Sequence, residues 1–399
     1  MILKLIKMAV ASAAKASPWS AFWTFPSILV SAFVIAWGAE AAQFLISQGL
    51  ALAILAWLQT LPEFAVEAVI AWNAGKDPSQ THLAIANFTG SLRLLVGLGW
   101  PMIYFVAAGF GWKRSRKFIA VELEEEHSIE VFGLLLPILY FVFIWWKGSL
   151  SIWDAIPLTF FYVVYLWTLW KIPPQEETEE SLEDLGTVPR KILAMEPRMR
   201  NAAIWALFLA GGIILFFSAH PFLNSMLAIA NTMGVSTFVF VQWVAPFLSE
   251  FPEKLSAFYW ARKVSTASVA LMNMVSSNIN QWSILSAMIP ILFVISAGEI
   301  KPLTFDEFQR HEILLTILQS FLGFLLLMNL QLVLYEAFVL FVFWAIQFFV
   351  PSVREEMIWV YLGWCAIEIV KLIFARQAPA AWVGLRKTLA QRFAAPGEG

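Results

Sequence analysis

The sequence has little charge and almost no cysteine. Charged residues make up 14% of the 399 residues, whereas soluble domains have about 25%. The single cysteine, Cys365, excludes an intramolecular disulfide and a cysteine-rich metal site. There is no Walker, nucleophile-elbow or metalloprotease motif, which argues against an ATP-driven pump or a hydrolase. With a net charge of -2 and no long basic cluster, the chain is not expected to bind nucleic acid.

Apolar residues dominate what remains. They form 60% of the chain, and several runs reach the roughly 20 residues that cross a bilayer as a helix. The pattern predicts an all-α polytopic membrane protein that contacts the lipid bilayer. The predicted spans are residues 20–38, 43–73, 81–110, 129–147, 151–171, 201–219, 224–260, 264–297, 312–329, 331–350 and 355–375.

The spans divide the chain into five segments. We expect an N-terminal segment at 1–17 that is either an interfacial helix or disordered, and an acidic cytoplasmic linker at 172–200 that is a solvated loop. The membrane part consists of residues 18–171, residues 201–350, and an extra helix with a tail at 351–399. Lys and Arg are more numerous in the loops on one side, which predicts an outside N-terminus and a cytoplasmic C-terminus. The short linker suggests a prokaryotic plasma membrane.

The two membrane segments repeat one pattern. Each segment contains a five-residue motif that ends in Pro-Glu. The motif is Gln59-Thr60-Leu61-Pro62-Glu63 in the first segment and Ser249-Glu250-Phe251-Pro252-Glu253 in the second. A polar cluster follows about 20 residues later, at Asn87 to Ser91 and at Asn273 to Asn278. Asp154 and Glu336 then take similar places in the fifth spans. Because five spans is an odd number, the second copy enters the membrane from the opposite side, which predicts an inverted repeat.

Prolines mark two spans as broken. The segment 43–73 contains Pro62, and the segment 224–260 contains Pro246 and Pro252. Proline removes a backbone donor, and in lipid the freed carbonyl groups need another partner, such as neighbouring protein or a bound ion. Substrate sites of inverted-repeat transporters lie where such broken helices meet. We therefore expect an ion site between Glu63 and Glu253.

These motifs resemble the repeats of the sodium/calcium exchanger, or cation/calcium antiporter, superfamily. The family signature is approximately Gly-Thr-Ser-x-Pro-Glu on the second helix of each half and Gly-Asn-x-x-Gly-Ser-Asn on the third, and the likeness covers about residues 20–350. The resemblance implies ten helices in two inverted halves, with the eleventh span as an addition. It also implies a secondary transporter, not an enzyme, that needs no cofactor and exchanges calcium or a related cation for sodium, protons or potassium.

The resemblance and the chemistry together give a set of candidate ligands. Calcium takes six to eight oxygen ligands, and two carboxylates balance its charge. The candidates are Glu63, Glu253, Thr60, Gln59, Ser249, Glu250, Ser91, Ser277 and Gln281. A hydrogen bond between helices is the other interpretation of the glutamates, and close helix packing is the other interpretation of Ser91 and Ser277.

Three positions depart from the family pattern. Glu250 adds a third acid, which could carry a proton. Leu95 stands where many members place a polar ligand, while Gln281 keeps one in the second half. Arg93 lies within an apolar span, where it could pair with Glu67 or another buried acid, occupy a cation position or extend to the lipid headgroups. These departures make sodium coupling doubtful.

Two functions follow. The first is a secondary antiporter that exchanges calcium, or a related cation, for sodium or protons by alternating access around Glu63 and Glu253. The second is a non-transporting or regulatory relative in which Arg93 occupies the cation site. Inorganic cations are the expected partners, and the sequence gives no oligomeric state.

Overall fold

The computed structural model describes residues 18–115, 120–172, 185–232, 234, 240–375 and 377–393. The predicted N-terminal segment at 1–17 and the acidic run of the linker, which falls within 173–184, lie outside the described residues. The described part is almost entirely helical, as the apolar composition predicts.

The first half contains five membrane-spanning segments built from seven helices. They are α1 (Ala21–Ala42), α2 (Gln48–Gln59), α3 (Leu61–Lys76), α4 (Thr81–Leu94), α5 (Trp100–Ser115), α6 (Ser128–Lys147) and α7 (Ala155–Trp170). A π-helical stretch, Leu95–Gly99, joins α4 to α5. Two short strands lie between helices, namely β1 (Ala120–Glu122) and β2 (Ser149–Leu150).

The second half follows the same plan after the short linker helix α8 (Thr187–Leu193). Its helices are α9 (Pro197–Thr232), α10 (Ala245–Ser249), α11 (Phe251–Ala261), α12 (Ala267–Asn280), α13 (Ser286–Ala297), α14 (Glu307–Leu326) and α15 (Leu334–Phe349). Its strands are β3 (Leu303–Thr304) and β4 (Gln331–Val333), and π-helical stretches occupy Phe240–Val244 and Gln281–Leu285. Two more helices complete the chain, α16 (Arg354–Phe374) and α17 (Ala380–Phe393).

The membrane assignment is confirmed. Within the described ranges, eight helices are long and apolar enough to cross a membrane, or nine if the bent pair α2 and α3 counts as one span. Many large apolar side chains remain exposed on the outside of the bundle, including Trp146, Trp205 and Phe349. In a membrane protein these side chains face lipid, so their exposure is expected.

One predicted boundary is wrong. The sequence suggested a break between residues 219 and 224, but α9 continues through Pro221 to Thr232. Pro221 removes only one backbone donor, and the buried side chains of Leu215 and Phe222 on either side of it keep the helix packed against α1. The chain therefore runs as one helix through the predicted break.

The strands join the two halves crosswise. β1, which lies between the third and fourth spans of the first half, pairs antiparallel with β4, which lies between the fourth and fifth spans of the second. β2 and β3 form the reciprocal pair, again between a fourth-to-fifth and a third-to-fourth connection. Two halves inserted in the same direction would place these connections on opposite sides of the membrane. The crossed pairing is the one that an inverted arrangement requires.

The fifth spans also begin alike. The Asp154 carboxylate accepts a hydrogen bond from the backbone N–H of Ser151 at 2.6 Å, and the Glu336 carboxylate accepts one from the backbone N–H of Val333 at 3.0 Å. Each acid thus lies three residues after the residue whose free N–H it satisfies, as in a capping box. The predicted equivalence of these two acids is confirmed.

Candidate cation site

The second span of each half is broken at one residue, which is Thr60 in the first half and Glu250 in the second. Helix α2 ends at Gln59 and α3 begins at Leu61, with a bend of 48° between them. Helix α10 ends at Ser249 and α11 begins at Phe251. The proline in each motif is the second residue of the new helix, where its missing N–H costs no hydrogen bond. The following glutamate is therefore the third residue, at the positive end of the helix dipole.

Glu63 lies between the two halves. One carboxylate oxygen accepts a hydrogen bond from the Asn87 amide at 2.7 Å, and the other accepts one from the Ser249 hydroxyl. The same Asn87 amide nitrogen also donates to Glu67 at 2.7 Å. All four side chains are fully buried. Ser249, predicted as a ligand, thus reaches the glutamate of the opposite repeat.

Glu253 has a different environment. Its side chain is fully buried, and neither carboxylate oxygen forms an aligned hydrogen bond with any residue that the structure describes. The Ser277 hydroxyl lies beside it, without an aligned hydrogen bond of its own. Glu63 and Glu250 are close enough for their charges to act on Glu253. Lys254 also acts electrostatically on Glu253. A buried charged carboxylate with so little hydrogen bonding is unfavourable, and a bound cation or a proton would stabilise it.

Gln59 and Thr60 connect the repeats at the break in the first half. The Gln59 amide donates to the Ser256 hydroxyl at 2.6 Å and accepts from Asn273 at 3.4 Å. The Thr60 hydroxyl accepts from the Asn280 amide at 2.7 Å and donates to the Ala56 carbonyl at 3.0 Å. Both predicted ligands therefore lie at the interface between the halves, where they bind neighbouring polar side chains.

The remaining predicted ligands form a second group. The Glu250 carboxylate accepts hydrogen bonds from the Gln281 amide at 2.9 Å, from the Lys254 ammonium at 2.5 Å and from the Ser91 hydroxyl. The Ser91 hydroxyl also contacts the Gln281 side-chain oxygen at 2.9 Å. Glu250, Ser91 and Gln281 thus bind one another, and Glu250 also binds Lys254. The nine predicted residues are all fully buried near the two breaks, but they do not form one network. Glu63 binds Ser249, Glu250 binds Ser91 and Gln281, Gln59 and Thr60 bind residues of the second half, and Glu253 lies beside Ser277.

Arg93 pairs with a buried acid, as one of the sequence-based interpretations allows, but the acid is Glu312 and not Glu67. Its guanidinium pairs with Glu312, donates to the Gln347 side-chain oxygen at 3.3 Å and to the Thr89 carbonyl at 3.2 Å, and lies 5.1 Å from the centre of the Trp243 ring. Arg93 is fully buried. It therefore neither pairs with Glu67 nor extends to headgroups. The proposal that it occupies the cation site is also wrong, because Glu312 lies on α14 and already binds it.

The third span of each half contains a π-helical stretch at the same place in the repeat. One begins at Leu95 and the other at Gln281, four residues after Ser91 and Ser277 respectively. A π-helical turn inserts an extra residue and shifts the face that a helix presents, and such turns are frequent at functional sites. The sequence-based comparison of Leu95 with Gln281 thus matches a structural equivalence. Leu95 is fully buried and supplies no oxygen there.

Close backbone contact at Gly90 positions the third span. A Cβ atom at this position would collide with the backbone carbonyl oxygen of Gln242 in the π-helical stretch of the opposite half. We predict that Gly90→Ala lowers the stability of the protein by about 2 kcal/mol, because the backbone cannot yield as a side chain would. Thermal unfolding in detergent measures this.

Gly109→Ala is the matched control, since a Cβ there meets no atom within 4 Å. It should melt at or slightly above the wild-type temperature, because alanine favours the helix. Equal melting temperatures for the two variants would contradict the close contact at Gly90.

Sequence reasoning missed several residues of the site. Glu67 and Asn87 hydrogen-bond within the Glu63 group, Lys254 pairs with Glu250, and Asn280 binds Thr60. Signals for some of them existed. Lys254 follows Glu250 by four residues on the same helical face, and Asn87 and Asn273 hold equivalent positions in the repeated motif. Asn280 falls outside any motif, so only the fold identifies it.

The chemistry of the site suits a cation that binds and leaves. Among the residues that the structure describes, no group of three or more His, Cys, Asp or Glu side chains is arranged to hold a metal. Instead, one buried glutamate follows the break in each repeat, Glu63 in the first and Glu253 in the second, and hydroxyl and amide groups lie nearby. Asn278 and Ser277 add buried oxygens that have no hydrogen-bond partner. Hard oxygen ligands of this kind suit calcium.

Comparison with known proteins places the chain in a family. The family model described as sodium/calcium exchanger protein matches residues 17–171 and 203–352. No curated protein sequence matches. The two matched segments correspond to the two repeats.

Solved structures agree with this assignment. The crystal structure of the H+/Ca2+ exchanger CAX is 30% identical in sequence, with a TM-score of 0.80, and the match covers 97% of this chain and 95% of that one. The sodium-calcium exchanger NCX_Mj, soaked with 2.5 mM Na+ and 10 mM Sr2+, shares the fold at 16% identity and a TM-score of 0.60, with 86% of this chain and 99% of that one covered. The chain therefore belongs to the sodium/calcium exchanger protein family and is a secondary transporter of the membrane, not an enzyme.

Proposed function

We propose that this antiporter exchanges calcium for protons by alternating access, with Glu63 and Glu253 as the carboxylates that bind in turn calcium and protons. The observation that carries the proposal is the Glu253 carboxylate, which is fully buried and forms no aligned hydrogen bond within the described part of the chain. Such a group is stabilised either by a cation or by a proton, and one state excludes the other. This exclusion couples the two ions.

Calcium would bind between the two broken helices. Glu63 and Glu253 would supply two carboxylates, and the Ser249 and Ser277 hydroxyls would supply neutral oxygens from the second half. The Gln59 and Thr60 side chains, which connect the halves, would line the site from the first half. Asn87 would steady Glu63 through its hydrogen bond. A transported ion must also leave, and a site with only two charges permits release.

Protons are favoured over sodium as the coupling ion for a structural reason. A sodium ion needs several neutral oxygens, but Leu95 supplies none in the first half. The side-chain oxygens of Ser91, from the first half, and Gln281, from the second half, are already engaged with Glu250 and with each other. The likeness to a protein described as an H+/Ca2+ exchanger, at 30% identity over nearly the whole chain, supports the same choice.

The test is calcium uptake into proteoliposomes under an imposed ion gradient. We expect radioactive calcium to enter when a proton gradient is imposed, and a sodium gradient at constant pH to drive no uptake. Uptake driven by sodium alone would overturn proton coupling. If purified, folded protein gave no uptake under either gradient, calcium transport itself would be refuted. The non-transporting relative would then gain weight, although the position of Arg93 gives it no support.

A further inference from the structure

A second charged pair lies beside the proposed site. Glu250 occupies the break between α10 and α11, and Lys254 follows it one helical turn later. Their carboxylate and ammonium groups are 2.5 Å apart, and both residues are buried, Glu250 fully and Lys254 to within 5% of its surface. A buried pair of this kind is costly to form and is destabilised strongly when one partner is lost. Its presence therefore calls for an explanation.

The repeat shows that the acid and its partner occur together. Aligning the Pro-Glu motifs places Thr60 opposite Glu250 and Phe64 opposite Lys254. The first half thus lacks both charges, whereas it keeps the proline and the glutamate that follows. The two charges therefore form a unit that is specific to the second half.

The pair occupies a position that could otherwise hold a monovalent cation. The Ser91 hydroxyl and the Gln281 amide N–H both donate to the Glu250 carboxylate, and the Gln281 side-chain oxygen lies 2.9 Å from the Ser91 hydroxyl. Carboxylate, hydroxyl and amide oxygens of this kind are ligands that a sodium ion would use once the ammonium group is gone. Glu250 is also near enough to Glu63 and Glu253 for their charges to interact. An ion bound by Glu250 would thus act electrostatically on the calcium site.

We propose that the Lys254 ammonium is a tethered monovalent cation that occupies the Glu250 carboxylate and thereby excludes sodium from the site. Lys254 would then determine ion specificity, although its side chain does not bind calcium. With Lys254 cancelling Glu250, the charges of Glu63 and Glu253 remain for one divalent ion. The inference rests on the proposed function, since it explains why that function takes no sodium.

The test uses Lys254→Met, which removes the charge and keeps a flexible apolar chain. We expect calcium uptake by this variant to become sensitive to sodium, with the half-inhibiting sodium concentration at least about tenfold below that of wild type. Potassium at the same ionic strength measures the non-specific effect of salt. The double variant Glu250→Gln/Lys254→Met, which has neither charge, should remain as insensitive to sodium as wild type.

The outcomes separate this inference from the proposed function. If wild type takes up calcium under a proton gradient and Lys254→Met gains no sodium sensitivity, the tethered-cation role is wrong although the function holds. If wild type takes up no calcium, the proposed function fails first. If Lys254→Met does not fold, Lys254→Arg and the double variant still decide: sodium sensitivity in either overturns the inference. Insensitivity in both, together with sodium-sensitive uptake by Lys254→Gln, supports it.

Discussion

Glu253→Gln should lower the initial rate of calcium uptake at least about 100-fold while the protein stays folded. The amide has the shape of the carboxylate, but it leaves calcium with one neutralising charge instead of two. Loss of one charge from a buried ion pair costs roughly 3 kcal/mol or more, which corresponds to more than a hundredfold in affinity. Among the described residues Glu253 forms no aligned hydrogen bond that the substitution would break, so the stability of the protein without calcium should be unchanged or higher.

Two measurements check this result. The first is uptake of radioactive calcium into proteoliposomes, and the second is the rise in melting temperature that calcium produces when it binds the folded state. Both should be lost in Glu253→Gln. Glu336→Gln is the matched control, because Glu336 is also buried but hydrogen-bonds only at the start of α15. Normal calcium uptake by Glu253→Gln would show that the Glu253 carboxylate does not bind calcium.

Arg93→Met should lower the free energy of unfolding by about 3 kcal/mol without creating sodium or calcium binding. Arg93 is fully buried and pairs with Glu312, whose other carboxylate oxygen is bound by Arg354 at 3.1 Å. Without Arg93, the buried Glu312 keeps one cation instead of two, and removing one partner from a buried ion pair is strongly destabilising. Thermal or denaturant unfolding in detergent measures the loss.

Two companion variants make the Arg93 experiment specific. Lys301→Met removes a cation from the exposed pair with Glu299 and should cost less than about 1 kcal/mol. Arg93→Met/Glu312→Gln/Arg354→Met removes all three charges of this buried cluster, so it should be more stable than Arg93→Met alone. A stable Arg93→Met protein that transports faster than wild type would instead revive the idea that Arg93 blocks the cation site.

The repeated Pro-Glu motif was the most informative part of the sequence. It combines a local effect with a global one. Locally, proline starts a new helix. Globally, each half has an odd number of spans, so the two copies of the motif meet at the centre of the molecule. Both broken helices and the burial of Glu63 and Glu253 follow from it, and the structure has them. Capping by Asp154 and Glu336 is equally local, which explains why their equivalence could be predicted.

Partners distant in sequence could not be predicted in the same way. Arg93 and Glu312 are 219 residues apart, and nothing near either residue indicates the other. The partner of Glu250 is only four residues away, yet the motif comparison treated Glu250 as an ion ligand and left Lys254 unexamined. The predicted break between residues 219 and 224 was wrong for a different reason. The span bounds came from the local apolar pattern, whereas packing against α1 keeps α9 continuous through Pro221.

The crossed strand pairs bear on how such a chain arose. If the two halves were identical separate molecules, β1 with β4 and β2 with β3 would be one contact formed twice. That is the property of an isologous interface, in which a twofold axis repeats every contact between two copies. A homodimer of five-helix units inserted in opposite directions would already have it. Fusion into one chain keeps the interface while releasing the copies from identity, so Glu250 and Lys254 can exist in one half and Thr60 and Phe64 in the other.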